Sequence, residues 1–164
     1  MKVIISTSAL ALLLIALPVA AQVSYDWSNV GSVGIVQAGA GHIFTGPTFT
    51  FSSARTGTLT ARYNVTNTAG GGITKTPAWT TFSAAYTDNS SLGSVTLRLM
   101  QVDKCSNAES QICSITSSDN GTECGTCTFG STTFDFANNF YYIQANITRS
   151  STSANIALHS VAIN

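Results

Sequence analysis

Residues 57–66, GTLTARYNVT, alternate strictly. Leu59, Ala61, Tyr63 and Val65 fall on one face of an extended chain, Thr58, Thr60, Arg62 and Asn64 on the other. A period of two is the mark of a half-buried β-strand. The pattern recurs at 79–87, with Phe82, Ala84 and Tyr86 on one side. It recurs at 95–103, where Val95, Leu97 and Leu99 alternate with Thr96 and Arg98, and at 140–149, where Tyr141, Ile143, Ala145 and Ile147 share a face. Shorter segments of the same kind are predicted at 23–27, 33–37, 42–44, 48–51, 111–117, 132–136 and 157–163, with turn signals such as Gly46-Pro47 and Asn138-Asn139 between them. In the last segment Ile156 and Leu158 break the parity of Val161 and Ile163, which predicts a bulge or burial of both faces.

Nothing after residue 21 carries a convincing 3.6-residue period. Strands with one apolar and one polar face bury the apolar one by packing two antiparallel sheets together. The expected fold is therefore all-β: one domain over residues 22–164, a two-sheet antiparallel β-sandwich of about ten short strands with little helix. A jelly roll or another Greek key is the expected topology, and a closed barrel is the main competitor.

Residues 1–21 have the three parts of a secretory signal peptide: Lys2, an apolar run over 9–17, and Pro18 followed by Val19-Ala20-Ala21. The run falls short of the roughly 20 residues that span a bilayer. The expectation is a cleaved leader, Gln22 as the new N-terminus, no transmembrane anchor, and a secreted protein that is extracellular, periplasmic or on the cell surface.

Export sets the meaning of the four cysteines, Cys105, Cys113, Cys124 and Cys127, because an even number in an oxidising compartment reads as disulfides. Four cysteines allow three connectivities. A predicted hairpin (95–104 with 111–117) favours Cys105–Cys113, which leaves Cys124–Cys127 in a Gly/Thr-rich loop. Two other readings compete. A zinc site made of all four cysteines has only one of the two close knuckles it needs. Redox catalysis by Cys124-Gly125-Thr126-Cys127 lacks the following helix that would lower a thiol pKa.

Charged residues make up only 9% of the chain, and removing Lys2 leaves six Lys/Arg against seven Asp/Glu. Nucleic acid, which needs a basic stripe for phosphate contacts, is not an expected partner. No G-x-S-x-G or H-E-x-x-H occurs, and neither His42 nor His159 stands in a metal-ligand pattern. A glycan hydrolase needs two carboxylates facing across a cleft; most of Asp26, Asp88, Asp103, Glu109, Asp119, Glu123 and Asp135 lie in predicted turns or loops. Asp119-Asn120-Gly121-Thr122-Glu123 alternates oxygen donors around a glycine, as a calcium loop does, but lacks the remaining ligands. A plain Asn-Gly turn and no cofactor are expected.

Two functional readings remain. The first is a secreted, non-catalytic structural or adhesive protein of the cell envelope or matrix, whose partners are copies of itself or neighbouring envelope components. It requires an unpaired, uncharged edge strand within 23–37 or at the C-terminus. The second is a carbohydrate-binding module with Trp27, Trp79 and Tyr86 as candidate ligand-binding aromatics, since sugar rings stack on such side chains while amides and hydroxyls read the sugar hydroxyls. It requires Trp27 or Trp79 to be exposed; the competing role for both is to anchor the core. Arg55, Arg62 and Arg98 are candidate donors beside them. A small glycan-active hydrolase is a weaker third reading. Sequons stand at Asn64, Asn89, Asn120 and Asn146 and matter only in a glycosylating host.

Overall fold

The computed structural model describes residues 26–39, 41–68, 76–129 and 134–164. The expected leader lies outside them, as do part of the 23–27 segment and part of 132–136. Eleven strands are present: β1 Trp27–Val30, β2 Ile35–Ala38, β3 His42–Thr45, β4 Thr48–Phe51, β5 Gly57–Val65, β6 Thr81–Asp88, β7 Gly93–Asp103, β8 Glu109–Thr116, β9 Gly121–Thr128, β10 Asn139–Arg149 and β11 Ile156–Ile163. The helical content of the described residues is one 3-10 turn at Gly31–Val33.

The strands form two antiparallel sheets. One runs β3-β4-β11-β6-β9, with β1 alongside the C-terminal half of β11 where β4 covers the N-terminal half. The other runs β2-β5-β10-β7-β8. From β4 onward the chain changes sheet at every connection except the β7–β8 hairpin. The central order β4-β11-β6-β9 facing β5-β10-β7-β8 is that of a jelly roll. No barrel closes, because β3 and β9 end one sheet and β2 and β8 end the other.

The alternation read from the sequence is what the core uses. Leu59, Leu97, Leu99, Ile143, Ile147 and Phe82 are fully buried between the sheets. In β11 the expected bulge falls between Leu158 and Ser160, so Ile156 and Leu158 before it and Val161 and Ile163 after it all point inward. In the β3–β4 hairpin, Gly46 takes the positive φ (57°) that a two-residue turn demands at its first position. Tyr63 ties the 3-10 turn to the second sheet by donating its hydroxyl to Gly31 O at 2.7 Å, and burial pushes that phenol well above its ordinary value.

One strand was not expected. Residues 121–128, GTECGTCT, read as a loop because they are small on both faces, yet they pair along the whole of β6 from Asp88↔Gly121 to Thr81↔Thr128. The inward face has little room: a side chain at Gly125 would run into Ile115 and the Tyr86 ring.

That strand overturns the favoured disulfides. Successive side chains on a strand point to opposite faces, so Cys124 faces outward and Cys127 inward, and the two do not bond. Cys113 lies opposite Leu99, well inside the β7–β8 ladder, while Cys105 sits in the turn at its tip. The structure joins Cys113 to Cys127 with Cα atoms 6.2 Å apart, tying edge strand β8 of one sheet to edge strand β9 of the other. Cys105 and Cys124 are exposed thiols. With Cys113 and Cys127 joined, two of the four cysteines considered for a zinc site, Cys105 and Cys124, remain as thiols.

Candidate functional site

The three aromatics singled out above are core residues. Trp27 is 4% exposed, Trp79 1% and Tyr86 2%. Trp79 stands just before β6 but is covered by Phe134 (ring centroids 5.0 Å, edge to face) and Phe136 (6.2 Å), which arrive from the β9–β10 connection. Trp27 pairs with Ile163 at the start of β1, and Tyr86 points inward from β6. The stacking surface the sequence reading placed on them is absent there.

An aromatic surface occurs instead on the outer face of the β2-β5-β10-β7-β8 sheet. The strand period that buries Tyr141 and Ile143 points Phe140, Tyr142, Gln144 and Asn146 away from the core, where Phe140 is exposed and Tyr142 is buried beneath Arg62. The register sets them in rows: Thr60–Asn146–Thr96, Arg62–Gln144–Arg98–Ser114, Asn64–Tyr142–Met100–Gln111, and Phe140–Val102–Glu109. β5 stops at Val65, one pair short of Phe140, so the ring opens onto the departing chain and is 59% exposed. A depression of about 240 Å³ lies beside it, lined by Asn64, Thr66, Asn67, Asn139 and Lys104 as well as the ring.

The polar groups here are held in place. Lys104 Nζ donates to Phe136 O at 2.7 Å and Ala137 O at 3.0 Å, and sits 4.7 Å from the Phe140 ring centroid. Gln101 Nε2 donates to Asn139 Oδ1 at 3.0 Å, and Thr60 Oγ1 to Asn146 Oδ1 at 3.0 Å. The Arg62 guanidinium lies over the Tyr142 ring at 4.6 Å, a diagonal cross-strand contact, while its buried Nε has no hydrogen-bond partner. Burial first, then the Glu109 carboxylate, push the Tyr142 phenol up against the pull of Arg62. A planar ring beside fixed amides and cations can hold a flat polyhydroxylated ligand. The sequence carried a signal for it: Phe140 and Tyr142 are aromatics on the polar parity of an otherwise clean strand.

The opposite outer face is of a different kind. Ser83, Ala85, Cys124, Ser160 and Ala162 floor a shallow trough of about 200 Å³ without a ring among its lining residues. His159 lies beside it at the bulge, its nitrogens taken up by Thr48 Oγ1 (3.1 Å) and Thr87 Oγ1 (2.8 Å).

The carboxylates do structural work where their contacts are visible. Asp88 is fully buried and accepts a hydrogen bond from Ser117 Oγ. Asp103 closes the β7–β8 turn; the backbone N–H of Ser106 above all, then its hydroxyl and Cys105 N–H, hold its carboxyl below the usual range. Asp135 is held low chiefly by the Asn138 side chain. Glu123, in the stretch expected above to be a plain Asn-Gly turn, accepts from Ser118 Oγ and Asn120 N across a turn in which Asp119 and Gly121 take positive φ. Among the described residues no group of three or more His, Cys, Asp or Glu side chains is placed to hold a metal ion.

The edge strands also bear on the first reading. β11 is interior, between β6 and the β4/β1 pair, so the C-terminal strand offers no free edge. β2 is an edge, and its four residues, Ile-Val-Gln-Ala, are uncharged, with Ile35 65% exposed. Among the described residues no helix is long and apolar enough to cross a membrane.

No protein-family model matches the chain, and no curated protein does. Among solved structures it is similar to a xylan-binding module, CBM15, at 15% identity and a TM-score of 0.47, over 85% of this chain and 95% of that one. It is also similar to a mutant of a family 29 carbohydrate-binding module, at 10% identity and a TM-score of 0.27, over 83% of this chain and 92% of that one.

Proposed function

We propose that the protein is a secreted, non-catalytic glycan-binding module, and that its binding surface is the outer face of the five-stranded sheet around Phe140. The observation that carries this reading is the exposed Phe140 ring beside a depression lined by Asn64, Asn67, Asn139 and Lys104. Burying an apolar ring against the C–H face of a sugar while amides meet its hydroxyls needs that juxtaposition. The ring contributes little to the core, so Phe140→Ala is expected to leave the unfolding temperature near wild type. It is also expected to weaken binding to the best ligand of a polysaccharide panel by roughly tenfold, about 1.4 kcal/mol. Affinity electrophoresis measures this. A wild-type protein that binds no glycan of the panel, or a variant that binds as tightly as wild type, removes the reading.

A separate observation favours a structural or adhesive role through self-association. The exposed apolar residues Val33, Ile35, Ile43 and Phe44 lie on or beside β2 and β3, the end strands of the two sheets. Uncharged apolar edges can pair with further strands, although four residues is short for such an edge. Size-exclusion chromatography with light scattering is expected to give concentration-dependent dimers or larger species if this edge is used. A monomer at every concentration removes that role and leaves the glycan reading untouched.

A further inference from the structure

We infer that the glycan taken by this face is an acidic polysaccharide, a chain bearing uronate carboxylates, held by Arg62 and Arg98. This rests on the glycan-binding reading above and narrows it to a ligand class. The chain as a whole is close to neutral, with seven basic and seven acidic side chains, but its cations are not spread evenly. Of those described, Arg149 is buried against carbonyls of the β4–β5 loop, and Arg55 belongs to that loop. The other three, Arg62, Arg98 and Lys104, lie on or border the outer face of the five-stranded sheet. One carboxylate, Glu109, reaches in from edge strand β8 as far as the Tyr142 phenol.

Arg62 and Arg98 share one row with Gln144 between them, two strand spacings or roughly 9–10 Å apart. Among the described residues neither is paired with a carboxylate, and Arg62 Nε has no partner at all. A buried guanidinium N–H without an acceptor is costly. Carboxylates are the groups guanidinium forks bind best. Tyr142 beneath Arg62 keeps that fork flat on the sheet. The arrangement therefore fits a linear chain running along β10, one sugar ring on Phe140 and carboxylates of sugars roughly 13 Å further on, four residues along the strand, between the two arginines.

The test uses the purified protein with three probes: polygalacturonate, the same polymer fully methyl-esterified, and neutral xylan. Binding to polygalacturonate is expected to be at least tenfold tighter than to the ester, and to weaken as salt rises from about 50 to about 500 mM. Arg62→Gln with Arg98→Gln is expected to bring the acid down to the affinity of the ester. The comparison of acid with ester needs no variant, so it decides the matter even if the double variant unfolds. Equal affinity for acid and ester overturns the inference while the glycan-binding reading stands. Binding to none of the three overturns both. Single-stranded DNA or anionic vesicles bound as tightly as polygalacturonate would replace the glycan assignment with a general polyanion surface.

Discussion

Trp79→Ala is expected to destabilise the domain by about 3–5 kcal/mol, the range for removing a large aromatic from a packed core. Trp79 is 1% exposed and meets Phe134 and Phe136 edge to face, and those two rings in turn contact Tyr141 at 4.8 and 4.9 Å. The cluster closes one end of the sandwich by pinning the β9–β10 connection against the entry to β6. Its loss leaves a cavity that rigid strands on both sides cannot fill. A domain of this size holds only about 5–15 kcal/mol in total, so the variant is expected to be partly unfolded at 37 °C. Urea denaturation followed by tryptophan fluorescence, with Trp27 as the remaining reporter, measures the change. A cost below about 1 kcal/mol would mean that Trp79 sits at a yielding surface, and the stacking role first considered for it would return.

Removing the Cys113–Cys127 bridge is expected to cost about 3 kcal/mol, the chain-entropy value for a loop closed over a separation of 14 residues. Its position adds to its importance. β8 and β9 are the terminal strands of different sheets, with no ladder between them, so the bridge holds together a side of the sandwich that backbone hydrogen bonds do not. Cys113→Ala, or reduction of the wild type, is expected to lower the unfolding temperature by about 10 °C. Cys105→Ser and Cys124→Ser are expected to leave it unchanged, since both thiols are exposed. Non-reducing peptide mapping checks the pairing directly. Equal losses from Cys105→Ser and Cys113→Ala would restore the hairpin-mouth pairing suggested by spacing alone.

The two outcomes bear on function in the same way. Both perturb the scaffold, and neither touches the Phe140 face except through it. A loss of glycan binding in either variant has to be read beside its unfolding curve. The Phe140 variant lies on the outer face and does not carry that burden.

What could be read from residue order alone was whatever depends on neighbours two apart. The alternation at β5, β7 and β10 requires one buried face per strand, because a slip of one residue would expose the whole apolar set. Two packed sheets follow from that, and so does the break of parity in the last strand, but the register decided that a bulge after Leu158 resolves it. The tertiary structure decided everything that depends on pairing across the chain. β9 is a strand because β6 offers it a ladder, although its own residues are too small to announce one. Once it is a strand, the three-residue step from Cys124 to Cys127 puts the two sulfurs on opposite faces, and Cys113 becomes the reachable partner. Trp79 is buried by rings more than fifty residues further along, and Phe140 is exposed because β5 ends one residue early. Local alternation sets which face of a strand is apolar; only register and strand order determine what stands beside it.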